Sequence, residues 1–81
     1  MSNPKDQKIT IGTWAKITGL APGEEEVFEF VSESEADPLE NKIPSTSPLA
    51  KVLEGATAGD RIPFDPPSGR VELTVLEVGQ L

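Results

Sequence analysis

The segment Ser47-Pro48-Leu49-Ala50-Lys51-Val52-Leu53-Glu54-Gly55 carries a complete set of short-helix signals. Ser47 can cap the orphan amides of a first turn, Pro48 suits the first helical position, and Gly55 supplies the left-handed stop. Leu49, Val52 and Leu53, at i, i+3 and i+4, predict one apolar stripe. Two turns do not persist in water without packing, so this helix must lie on something larger. The remaining apolar residues alternate, which makes that partner a β-sheet.

Ile9, Ile11, Thr13, Ala15 and Ile17 predict one face of a strand, with Thr10, Trp14 and Lys16 on the other. Trp14 breaks the apolar-in pattern; it is either an exposed anchor for a partner or, the preferred reading, covered by the leader or the Gly19 turn. The turn segment Gly19-Leu20-Ala21-Pro22-Gly23 precedes a second alternation from Val27 to Val31, where Phe28 and Phe30 share the core face. Ser32 to Thr46 contains two prolines and no period, and reads as a long connection. Beyond the Gly59-Asp60 turn, Ile62 and Phe64 flank Pro63, whose missing amide points to an edge strand. After the tight turn Pro66-Pro67-Ser68-Gly69, Val71, Leu73 and Val75 share a face, and the pattern then shifts phase to Leu76 and Val78, as a bulge produces. The expectation is an α+β domain over residues 9–81, an antiparallel sheet covered by one helix. Residues 1–8, without apolar periodicity, are expected to be a disordered or loosely held leader.

Composition narrows the function. A chain of 81 residues builds one core and buries roughly 60% of its unfolded surface. Without cysteine or histidine there are no disulfides, no thiol or imidazole catalysis and no zinc site of the usual kind. Glu33, Glu35, Asp37 and Glu40 lack the spacing of a calcium loop and read as a solvated acidic connection. No set of carboxylates is arranged for acid–base work, so no catalytic, cofactor or metal residue is expected and the protein is not read as an enzyme. A net charge of −7 repels phosphate backbones and anionic lipid, and suits a basic protein surface as partner. The polar start MSNPKDQK and the short apolar runs predict neither a signal peptide nor a membrane span, hence a cytoplasmic protein. The proline in the edge strand favours a monomer.

The run EADPLENKIPSTSPLAKVLEGATAGDRIPFDPPSGRVELTVLEV, from Glu35 to Val78, resembles the C-terminal domain of the bacterial GreA/GreB transcription elongation factors. The matching marks are Glu35-Ala36-Asp37, Lys42-Ile43, Ser47-Pro48-Leu49-Ala50, Leu53, Gly55, Gly59-Asp60 and Pro67-Ser68-Gly69, in family order and spacing. The resemblance implies an FKBP-like fold, a curved antiparallel sheet wrapping one short helix. It also implies docking at the rim of the RNA polymerase secondary channel, on a coiled coil of the β′ subunit. The contact carries over to Thr46, Ser47, Pro48 and Leu49, with Ala36, Asp37 and Lys51 as neighbours. Thr46 departs from the Asp or Asn common there, and Pro44, Ser32 and Ala56 are lesser departures. The family's cleavage function belongs to an N-terminal coiled coil with an acidic, magnesium-holding tip. The residues before Ile9 are too few for such a hairpin, so the expected function is regulation of transcription without stimulation of transcript cleavage. The alternatives in view are an FKBP-like peptidyl-prolyl isomerase or chaperone, and a protein-binding module with another target.

Overall fold

The computed structural model describes residues 7–20, 23–67 and 69–81. Among these residues five strands, β1 (Thr13–Thr18), β2 (Glu25–Val31), β3 (Lys42–Pro44), β4 (Arg61–Phe64) and β5 (Val71–Gln80), form one sheet in the order β3-β2-β1-β5-β4. The one α-helix among the described residues, α1 (Pro48–Leu53), joins β3 to β4, and two 3-10 turns, Glu33–Glu35 and Pro38–Glu40, fill the path from β2 to β3. The sheet is a curled half-barrel closed over by the helix, the α+β architecture expected from the alternation.

The inner face is the core. Ala15 and Ile17 of β1, Phe28 and Phe30 of β2, and Leu73, Val75 and Val78 of β5 are buried with Ala50 and Leu53 of α1. The phase change in β5 is a bulge. Lys16 faces Glu77 and Ile17 faces Val75, so Leu76 is the extra residue that returns Val78 to the inner side. Pro63 lies in the edge strand β4, opposite Glu72, as its missing amide requires. Gly69 N–H donates to Pro66 O and closes the β4–β5 connection. Ser68 of that turn, Ala21 and Pro22 of the preceding one, and residues 1–6 of the expected leader lie outside the described residues.

Four local expectations change. First, the connection after β2 contains β3, which pairs parallel to β2 with Glu29 facing Lys42 and Val31 facing Pro44, so this outermost pairing departs from the antiparallel rule of the rest. Second, β1 does not begin at Ile9. Gly12 at φ +92° turns the chain, with its N–H on Phe30 O at 2.8 Å. Ile9 therefore stays in the core while Ile11 is thrown to the surface, 54% exposed. Third, the buried stripe of α1 is Ala50 and Leu53 with Leu49 beside them, and Val52 faces outward. Fourth, Trp14 is half-buried on the outer face of the sheet. It lies across Gly79, its cross-strand partner on β5, where any added Cβ would sit 2.6 Å from the indole.

Candidate functional site

Five of the seven residues singled out for docking, Thr46 to Leu49 and Lys51, gather where β3 passes into α1. Ser47 is extended (φ −69°, ψ 150°), and its Oγ accepts the Ala50 N–H at 3.1 Å, which satisfies one orphan amide of the first turn. Its own N–H donates to Pro44 O at 3.0 Å, tying the helix start to the end of β3. Pro48 occupies the first turn and is exposed. Leu49 leans into the core margin. Lys51 and Val52, three and four residues on, project on the same side of the helix as Pro48 and are also exposed.

Thr46 has a partner that the local sequence does not announce. Its Oγ1 donates to Glu33 Oε1 at 2.8 Å across the 3-10 turn, which holds a carboxylate against the residue just before Ser47. No short-range spacing links positions 33 and 46, so only the fold reveals this pairing. Ala36 and Asp37 sit elsewhere. Asp37 exchanges both backbone hydrogen bonds with Lys42, at 2.8 and 2.9 Å, and its Oδ1 accepts the Leu39 N–H at 3.1 Å. That places the pair at the opposite end of β3 from Thr46, roughly 10 Å away for a three-residue strand. Glu40 lies 3.2 Å from Lys42, and its hydrogen bond and charge hold the Lys42 ammonium above its ordinary pKa. Among the described residues no group of three or more metal-ligating side chains converges.

Beside this edge lies a hollow of about 190 Å³. Ile9, Phe30 and Ala50 form its buried apolar base, and the displaced Ile11 forms one wall. Thr10, Ser45 and Glu54 complete the lip. The hollow borders the Ser47–Leu49 segment on one flank, since Ser45 precedes it and Ala50 follows it.

A family model described as "Transcription elongation factor, GreA/GreB, C-term" matches residues 3–80. The chain belongs to this family. Among the curated relatives, this GreA/GreB C-terminal domain is 37% identical over 70 residues to transcription elongation factor GreA of Shouchella clausii, covering 86% of this chain and 44% of the relative. It is 35% identical over 74 residues to GreA of Thermoanaerobacter pseudethanolicus, covering 91% and 47%. Among solved structures, Thermus aquaticus Gfh1 superposes with a TM-score of 0.76 at 36% identity, over 86% of this chain and 46% of that one. A further structure of the transcription factor Gfh1 gives 0.79 at 32% identity, over 89% and 47%. The chain spans about half the length of the relatives it matches. No helix among the described residues is long and apolar enough to cross a membrane.

Proposed function

We propose that this GreA/GreB C-terminal domain binds bacterial RNA polymerase at the rim of the secondary channel, on the β′ coiled coil. There it competes with or modulates arm-bearing Gre-type factors without itself stimulating transcript cleavage. The observation that carries this reading is the pre-formed corner at Thr46, Ser47, Pro48 and Leu49, fixed by the Ser47 cap and flanked by the Glu33 carboxylate 2.8 Å from Thr46. An acidic group placed by a hydrogen bond on a rigid corner meets a basic protein surface at low ordering cost. Family membership makes the polymerase the natural bearer of that surface. The match from residue 3 to residue 80 assigns this chain the C-terminal domain. Lys51 and Val52 extend the corner along α1, while Asp37 and Ala36 act at its far margin.

Prolyl isomerisation on the same fold is less well supported, because that activity uses a pocket walled by several aromatic side chains. The hollow beside α1 presents one, Phe30.

The test is equilibrium binding of the whole chain to bacterial core RNA polymerase, with an arm-bearing GreA as competitor and a Ser47→Ala, Pro48→Ala double variant in parallel. Saturable binding displaced by GreA and lost in the variant is expected, and binding unaffected by either removes the reading. Addition of the chain to stalled elongation complexes is expected to leave transcript cleavage at its basal rate and to suppress GreA-stimulated cleavage as its concentration rises.

A further inference from the structure

The hollow between the Ile9–Ile11 segment and α1 is left unused by the corner described above. Its volume of about 190 Å³ is below the roughly 300–1,000 Å³ of small-molecule sites, so it suits a single side chain rather than a whole ligand. Ile9, Phe30 and Ala50 at its base are buried, and Ile11 stands 54% exposed at the wall. The Gly12 turn holds an isoleucine in water at the mouth of an apolar recess, an exposure that the neighbouring core does not require. On the lip, Glu54 is exposed and has no ion-pair partner among the described residues, whose pairs are Lys16–Glu25, Lys42–Glu40 and Arg70–Asp65. An apolar recess with a free carboxylate at its edge, on a chain of net charge −7, is complementary to an aliphatic side chain followed by a cation.

We propose that this hollow is a side-chain receptor: it takes one leucine- or isoleucine-sized side chain from the basic protein segment that docks at Thr46–Leu49, and Glu54 pairs with a lysine or arginine beside it. The proposal rests on the docking reading, and extends the contact from the helix start across to the Ile9–Ile11 segment. Two surface variants test it. Ile11→Asp spoils the wall and Glu54→Lys reverses the lip, and both positions are exposed, so thermal melting should stay close to that of the parent. With core RNA polymerase, Ile11→Asp is expected to weaken binding about thirtyfold, the loss of one anchor, and Glu54→Lys about fivefold with reduced salt dependence. If both bind as the parent does while the Ser47→Ala, Pro48→Ala variant does not, the receptor is overturned and docking survives. If the parent itself fails to bind polymerase, docking is overturned. NMR titration of the ¹⁵N-labelled chain with the peptide acetyl-Lys-Leu-Arg-Lys-amide then decides the receptor. Saturable shifts at Ile11, Ala50 and Glu54 that vanish when asparagine replaces the peptide leucine support it on another basic partner, and their absence overturns it.

Discussion

Thr46 and Glu33 show how one hydroxyl can recruit charge from a distant segment. A threonine brings no charge of its own to the helix start, yet its Oγ1 places the Glu33 carboxylate there at 2.8 Å. Thr46→Val keeps the shape and removes the donor. It is expected to change stability by less than about 0.5 kcal/mol, because both groups are exposed, and to weaken polymerase binding by a few-fold. Glu33→Gln should match that loss and flatten the salt dependence, whereas adding it to Thr46→Val should cost nothing more; additive losses would show that the two residues act separately. Trp14 and Gly79 form a second residue-scale pair, an indole covering a cross-strand glycine. Gly79→Ala puts a methyl into the ring position. The indole must then swing outward, and the emission of the folded protein, which has a single tryptophan, is expected to shift to the red. An unchanged spectrum would mean that the ring tolerates the methyl. The sequence marked Trp14 as anomalous but not its partner, since a glycine far along the chain emits no signal until the strands are in register.

At the scale of elements, α1 joins two roles that mutation can separate. Ser47 Oγ caps the helix, so Ser47→Ala is expected to cost about 1 kcal/mol in urea unfolding. Pro48 is exposed in the first turn, where alanine is also accepted, and Pro48→Ala should stay within about 1 kcal/mol of the parent while losing more affinity than stability. The reverse ordering would make Pro48 a structural residue only. The helix itself was legible from its cap, its proline and its terminal glycine, because those are local chemical requirements. Its buried face was less so: Leu49, Val52 and Leu53 fit the helical period, but in a helix of six residues the small Ala50 is buried with Leu53 and Val52 turns to solvent. Alternation misled in a similar way at Ile11, where it runs unbroken through Gly12 and hides a positive φ. The hollow was invisible for that reason, as it exists only once Ile11 leaves the strand. The strand β3 escaped notice because it is three residues long, ends in proline and pairs parallel to β2 across two 3-10 turns.

For the whole molecule, the two edges of the sheet decide whether it meets copies of itself. On β3 the outward backbone groups are spent: Lys42 exchanges both of its hydrogen bonds with Asp37, and Pro44 has no N–H and gives its carbonyl to Ser47. On β4 the Val75 N–H donates to Asp60 O, which sets the bonded pairs of this hairpin at Ile62 and Phe64 and leaves the backbone of Pro63 facing outward. A neighbouring strand would therefore find no amide at the centre of β4 and no free groups on β3. With net charge −7 adding repulsion between copies, the chain is expected to sediment as a monomer up to hundreds of micromolar. Pro63→Val restores the missing donor with a strand-favouring side chain. Because β3 stays capped, only one edge of each copy opens. Association should then stop at an isologous dimer joined β4 to β4 rather than extend into fibres. Sedimentation velocity distinguishes the cases: a concentration-dependent dimer for the variant alone supports edge control by Pro63. Higher oligomers would show that β3 is open as well, and a dimeric parent would place self-association on a surface other than the sheet edges.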